Sequence, residues 1–173
     1  MKNITLITSA LIAAVVCGSA SAADGTINFT GSITDTACKV DTASGNQPVN
    51  LGDVAATSFG SAGATASATR FTIKLSDCPA AATTASVRFD GPQASGNSSL
   101  LALSPGETAT NVGVGIYEQD SKTLIPVGTP SAPVTLSSTS TNALNFIAKY
   151  VSTAATVGAG SANAAATFTV AYN

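Results

Sequence analysis

The sequence contains no histidine and no tryptophan, and only a small share of its residues are charged or aromatic. Without histidine the chain cannot build a Ser-His-Asp or Cys-His nucleophile system, and it lacks a common ligand of zinc and copper sites. Without tryptophan, and with only three tyrosines, it offers no evident aromatic platform for a sugar ring. Its scattered carboxylates show no spacing typical of a general acid and base pair. We therefore expect no enzymatic activity, no catalytic residue, no metal site and no cofactor.

Charge is sparse and slightly acidic, with seven Lys and Arg against nine Asp and Glu. Such a chain has no basic surface for phosphate groups, so nucleic acid is not expected as a partner. The apolar share of 45% is too high for a disordered chain, and the length suits one ordinary domain.

The longest apolar run, from Ile4 to Val16, falls short of the roughly 20 residues that a membrane-spanning helix needs. It follows Lys2 and precedes a group of small residues, so residues 1–22 are predicted to be a signal peptide. A lipoprotein anchored at Cys17 is the alternative, but Val16 is bulky where a lipoprotein signal has a small residue. Cleavage leaves one pair of cysteines, Cys38 and Cys78. In an exported protein this pair favours a disulfide over a metal site or a nucleophile.

Alternating apolar and polar residues predict several short strands with one buried face each. Turn-forming residues separate them, which favours an antiparallel sandwich. The Ala-rich stretches 54–69 and 152–166 contain too many Gly, Ser, Thr and β-branched residues for helix. They are predicted to be loops or irregular edges, with one short turn of helix as the alternative. The clearest strand patterns lie at 71–75, 86–90, 112–116, 144–150 and 167–172.

The two ends of the predicted mature chain are informative. Residues 25–33 place Ile27, Phe29 and Ile33 on one face of a strand, which must find a sheet edge in its own domain or in another molecule. We predict an arm over residues 23–36 and a single domain over 37–173. The last predicted strand would leave an unpaired edge and an uncovered apolar groove. Alternatively, it is an ordinary edge or is covered by an earlier strand.

In its order of motifs the whole chain resembles the major pilin subunits of chaperone-usher fimbriae, in particular those of type 1 fimbriae. The stretches that carry the resemblance are Gly25 to Ile33, Thr36-Ala37-Cys38, Phe71 to Cys78, Ala109 to Val114, and Ala162 to Phe168 with Tyr172. The resemblance implies an immunoglobulin-like sandwich that lacks its last strand and is completed by the arm of another subunit. The implied donor positions are Gly25, Ile27, Phe29, Gly31 and Ile33. Phe168, Val170 and Tyr172 would border the acceptor groove.

The resemblance also implies a function. The chain would be a structural subunit that polymerises by donor-strand exchange into a surface fimbria supporting adhesion. Its partners would be identical subunits in a head-to-tail polymer, an outer-membrane usher, and a periplasmic chaperone that holds the carboxylate of Asn173. The subunit would be exported through the periplasm to the surface of a Gram-negative bacterium. The alternatives are a minor fimbrial adaptor and an adhesin-type binding module. Insertion of the arm into its own groove also stays open.

Overall fold

The computed structural model describes residues 27–31 and 37–173. The predicted signal peptide, Gly25 and Ile33 lie outside these ranges. The chain divides into two compact units, Met1–Ile33 and Thr34–Asn173, and each is considered by itself. In the first unit, residues 27–31 have no regular secondary structure. Among the residues described in either unit, no helix is long and apolar enough to cross a lipid bilayer.

The second unit is built almost entirely of β-strands, and the all-β fold predicted from the sequence is confirmed. Its described residues also contain two short helical segments, α1 (Thr42–Gly45) and a 3-10 turn (Ala56–Ser58). The strands are β1 (Lys39–Val40), β2 (Thr65–Ser76), β3 (Thr84–Asp90), β4 (Gln93–Ala94), β5 (Asn97–Leu101), β6 (Val112–Glu118), β7 (Leu124–Ile125), β8 (Val134–Thr135), β9 (Asn142–Ser152) and β10 (Thr167–Tyr172).

The strands form two antiparallel sheets. The larger has the order β1-β2-β9-β6-β5-β4, with β7 paired to β6, and the smaller has the order β10-β3-β8. Their inner faces share one core, in which the Phe89 ring of β3 lies 5.9 Å from the Phe71 ring and 5.1 Å from the Phe146 ring. The alternating side chains predicted to be buried meet there, because each strand turns every second residue inward.

The outer face of the larger sheet carries a second apolar cluster, and glycine is required beneath it. A Cβ atom on Gly113 would lie 2.8 Å from the Leu101 carbonyl oxygen, and one on Gly115 would lie 2.9 Å from the Tyr117 ring. Both glycines therefore allow close packing within a regular strand. The cluster consists of Ala94, Leu100, Tyr117, Ile147 and Val151.

One predicted loop is partly wrong. Residues 54–69 are predicted to be loops or irregular edges with one short turn of helix, and the 3-10 turn Ala56–Ser58 lies there. However, β2 begins at Thr65 and pairs with β9 from Thr65 opposite Val151, through an irregularity between Ala66 and Thr69. Ser, Thr and Ala form a strand here because β9 supplies a hydrogen-bonding neighbour, which local composition does not reveal.

Candidate functional site

Strand β10 lies at the edge of the smaller sheet and pairs only with β3 within the described residues. Asn173 follows the strand and exchanges both main-chain hydrogen bonds with Thr84, at 3.0 and 2.9 Å. Bonded and non-bonded pairs alternate along an antiparallel ladder, so Phe168, Val170 and Tyr172 occupy the non-bonded positions. Their N–H and C=O groups point away from β3. We call this side of β10 the open edge.

The residues opposite on β3 support this assignment. Val87 faces Val170 in the register, yet its main chain bonds to the other side of β3. The Val87 N–H donates to Ser131 Oγ at 2.9 Å, and the Val87 carbonyl accepts from the Ser131 N–H at 2.8 Å. Val87 therefore has no main-chain group turned toward Val170.

The side chains of the open edge face the core. Phe168, Val170 and Tyr172 are half-buried and pack against the core cluster, whereas Thr167, Thr169 and Ala171 are exposed. The structure thus brings all three residues predicted for the acceptor edge onto one face of one edge strand, where each also has main-chain groups at the open edge.

A groove of about 910 Å³ lies beside Phe168, and we call it the edge groove. Its floor consists of core side chains from both sheets, and Asp53 is the one residue with a formal charge among those that line it. Val170 and Tyr172 continue the open edge beyond the cavity. The apolar floor residues are Phe71, Ile73, Phe89, Val114, Ile116 and Ala148.

A second wall of the edge groove is segment 46–54, which has no regular secondary structure and adopts a left-handed backbone at Gly52, where φ is 66°. Within the described residues its main-chain groups make no main-chain hydrogen bonds. Side chains reach it instead: Thr69 Oγ1 donates to the Asn50 carbonyl at 3.2 Å, and Ser67 Oγ donates to the Leu51 carbonyl. Val49 and Leu51 alternate as half-buried residues that pack against the core. The open edge and segment 46–54 thus both border the groove.

The terminal strands at the other ends of the two sheets are short, and some carry a charge or follow a proline. Strands β1, β4 and β8 have two residues each. Lys39 in β1 forms an ion pair with Asp77 at 2.8 Å, and Pro133 precedes β8. Strand β10 has six residues with neither a charge nor a proline. Edges of this kind are rare unless they have a partner.

The disulfide between Cys38 and Cys78 is present, and its Cα atoms are 4.2 Å apart. Both cysteines are buried, and the Cys38 carbonyl accepts a hydrogen bond of 3.5 Å from the Tyr172 hydroxyl. Burial raises the pKa of Tyr172, so this hydroxyl keeps its proton. The disulfide therefore ties the chain ahead of segment 46–54 to the end of β2, close to the last residue of the open edge.

The arm residues that are described present apolar side chains to solvent. Ile27 is 79% exposed and Phe29 is 92% exposed. A Cβ atom on Gly31 would meet nothing within 4 Å, so Gly31 has no packing reason for being glycine in the single chain. Gly25 and Ile33, the outer donor positions, lie outside the described residues.

Asn173 ends the ladder between β10 and β3. Its main-chain oxygen accepts hydrogen bonds from the Thr83 and Thr84 N–H groups at 2.7 and 2.9 Å, and from Thr83 Oγ1 at 3.0 Å. The expected contact of Asn173 with a chaperone stays a prediction.

Sequence reasoning missed the wall 46–54 and the segment 157–166 that continues β10 along the groove. The alternation of Val49 and Leu51 was an available signal for the first. The second contains mostly Ala, Gly and Ser and has no periodic apolar pattern. Among the residues described, no three acidic or cysteine side chains lie close enough to hold a metal ion.

The sequence of this chain is similar to those of known proteins. The model of the family described as Fimbrial protein matches residues 27–173. The chain is 40% identical over 156 residues to the fimbrial subunit type 1 of Salmonella typhimurium, and the alignment covers 88% of this chain and 84% of that protein.

Solved structures share the fold. The crystal structure of a Burkholderia pseudomallei antigen and type I fimbria protein has a TM-score of 0.62 and 40% identity, covering 86% of this chain and 97% of that one. The P pilus rod subunit PapA has a TM-score of 0.63 at 22% identity, covering 79% and 99%.

Proposed function

Because the chain belongs to the Fimbrial protein family and is a structural pilin, we propose that it polymerises by donor-strand exchange. Family membership confirms the resemblance found in the sequence. In the proposed reaction, residues 25–33 of one copy enter the edge groove of the next copy and pair with its open edge. Ile27, Phe29 and Ile33 would turn inward. Gly25 and Gly31 would occupy donor positions on the same face, and Gly31 would lie where the groove is too shallow for a side chain.

The observation that carries this proposal is the open edge itself. Phe168, Val170 and Tyr172 combine half-buried apolar side chains with main-chain groups that have no partner in residues 27–31 and 37–173. Leaving such groups unpaired in an apolar groove is costly, whereas one inserted strand would bond to them and cover the floor. Segment 46–54 also lines the groove, and within the described residues its main-chain groups make no main-chain hydrogen bonds.

The length and chemistry of the arm fit the groove. Donor residues 25–33 span about 30 Å when extended, and the six residues of β10 with the preceding Ala164–Ala166 stretch offer the same number of residues along the groove. Ile27 and Phe29 are largely exposed in the single chain, and burying each would contribute about 1.5–3 kcal/mol. The entropy of ordering the arm opposes part of this gain.

The proposed contact is head-to-tail, since the arm and the edge groove are different surfaces. Such a contact need not close on itself and can propagate as a filament. As a pilin, the chain serves in a fimbria on the outside of a Gram-negative bacterium. We propose that it reaches this surface through the periplasm. A periplasmic chaperone would cover the open edge and contact Asn173, and an outer-membrane usher would direct the exchange.

A charge placed on either face of the arm tests the proposal. Phe29→Asp would bury a carboxylate in the edge groove, and we expect it to abolish polymers while leaving folded subunit. Asn28→Asp is the matched control, because it adds the same charge to the face predicted to point outward. The measurement is the ladder of polymers in unheated gel samples, together with electron microscopy of expressing cells.

Two results would contradict donor-strand exchange. Polymers of normal length from Phe29→Asp would remove the arm from the assembly contact. Equal loss of polymers from Phe29→Asp and Asn28→Asp would show that net charge matters, rather than the face of a strand.

A further inference from the structure

The wall that continues β10 is held in place by a neighbouring loop. Segment 157–166 lines the edge groove and has no regular secondary structure. Its first part is bonded to residues 104–111: Thr110 and Gly158 exchange main-chain bonds of 3.1 and 3.0 Å, and the Ala109 N–H donates to the Ser161 carbonyl at 3.0 Å. The shape of this wall is therefore set by the loop rather than by a sheet.

Asn163 is the last residue of the wall with such an anchor. Glu107 Oε2 accepts from the Asn163 N–H at 3.1 Å, and Glu107 Oε1 accepts from Asn163 Nδ2 at 3.0 Å. The Ser104 N–H donates to the Asn163 carbonyl at 2.8 Å. These hydrogen bonds lower the pKa of Glu107, so its carboxylate stays ionised and keeps accepting both donors.

The next three residues have no such support. Ala164, Ala165 and Ala166 make no hydrogen bond within the described residues, although Ala164 packs against the core. The ladder with β3 begins again at Thr167, opposite Asp90. This stretch therefore extends the open edge. The Asn163 anchor and β10 hold its ends, and between them Ala165 and Ala166 lie against Gly91, where an added Cβ atom would be 3.1 Å from the Ala165 carbonyl oxygen.

We propose that Glu107 is a positioning residue for strand insertion, which holds the Ala164–Ala166 stretch ready to accept an incoming arm. The inference rests on the proposed donor-strand exchange. Without the anchor, the stretch would have to be ordered when the arm binds, and the apparent affinity would fall with the fraction of molecules already in the competent arrangement. Glu107 lies outside both core clusters, so its loss should spare the fold.

The anchor can be broken and then rebuilt with its partners exchanged. Asn163→Asp places two carboxylates together and removes the side-chain donor. Adding Glu107→Gln restores both bonds, because the Gln amide donates to Asp while its oxygen accepts the main-chain N–H. Adding Glu107→Ala relieves the repulsion but restores no bond. This pair of double variants separates an anchoring role from simple charge repulsion.

The probe is a fluorescein-labelled peptide of residues 23–36. The host is the full chain carrying Phe29→Asp, expressed with its own leader and recovered from the periplasm. We expect Asn163→Asp to weaken peptide binding about fivefold, the value for about 1 kcal/mol of lost hydrogen bonding, with most of the loss in the association rate, because fewer molecules are already in the competent arrangement. We expect Glu107→Gln with Asn163→Asp to bind within about twofold of the host. Urea midpoints should change little across the series.

Equal affinity of the host and its Asn163→Asp form would overturn the role of Glu107 and leave donor-strand exchange intact. Rescue by Glu107→Ala as complete as rescue by Glu107→Gln would also overturn it. Failure of the host to bind the peptide at all would instead contradict the proposed function, and the inference would fall with it.

Discussion

The open edge of β10 can be tested with a single proline. The Val170 N–H points away from β3, so Val170→Pro removes a donor from the open edge and none from the ladder with β3. The fixed backbone angle of proline lies within the range that strands allow. Thr169→Pro is the matched control. The register pairs Thr169 with Arg88 of β3 at a hydrogen-bonded position, so removing the Thr169 N–H should weaken the folded sheet itself.

The expected effect follows from the hydrogen bonds involved. An arm that inserts beside Val170→Pro would leave one of its own carbonyl groups buried without a donor, at a cost of about 1–3 kcal/mol. This corresponds to roughly 5- to 150-fold weaker insertion. We expect no comparable loss of folding stability for Val170→Pro. For Thr169→Pro we expect a similar free energy to be lost from unfolding, because the broken bond belongs to the folded sheet.

The assay combines urea unfolding with binding of the labelled arm peptide and with mixing of defective subunits. Phe29→Asp lacks a working arm but keeps the open edge, whereas Val170→Pro keeps its arm. When the two variants are mixed, they should form dimers and nothing larger. Each dimer has used its one working arm and its one working open edge. Folded Val170→Pro that binds the arm peptide and polymerises as well as the unmodified chain would refute the assignment of the open edge.

Three further predictions concern the domain itself. Gly113→Ala should lower the free energy of unfolding by about 1–3 kcal/mol, because the new methyl group would overlap the Leu101 carbonyl oxygen. Gly45→Ala is the control and should cause no such loss, because Gly45 has open space around it. Equal urea midpoints for the two variants would count against close packing at Gly113. Cys38→Ser should lower stability by up to about 4 kcal/mol, since the disulfide closes a sequence separation of 40 residues; unchanged periplasmic yield and urea midpoint would mean that the disulfide is not structural. Hydrogen bonds from its own turn lower the pKa of Asp120 from 3.8 to about 2, so its contribution to stability is full above pH 4 and is lost as the pH falls toward 2. Asp120→Asn should flatten this part of the curve of unfolding free energy against pH. An NMR titration midpoint near 4 for Asp120 would contradict the turn geometry.

Much of the fold was predictable from short-range pattern. Alternation at 86–90, 112–116, 144–150 and 167–172 identified strands that the structure contains, because a sheet with one buried face imposes a period of two. The weakly patterned strands escaped prediction. Residues 65–69 form part of β2 because β9 pairs with them. Strand β5 follows directly after residues 91–96, whose composition is typical of a turn.

The candidate site was predictable in part. The alternation of Phe168, Val170 and Tyr172 identified one face of a strand, and the family resemblance implied that this strand borders a groove. The wall 46–54 and the anchor between Glu107 and Asn163 could not, since each depends on contacts between residues far apart in the sequence.

The sequence by itself determined that the chain forms an all-β domain, that Cys38 and Cys78 are available as a pair, and that an apolar alternating arm precedes the domain. Composition and period suffice for these properties because they depend on single residues and near neighbours. Only the tertiary structure decided that β10 pairs with β3 alone among the described residues, and that segment 46–54 lines the edge groove. Strand order and register are set by which distant segments bury each other's apolar faces, and no local pattern encodes that choice.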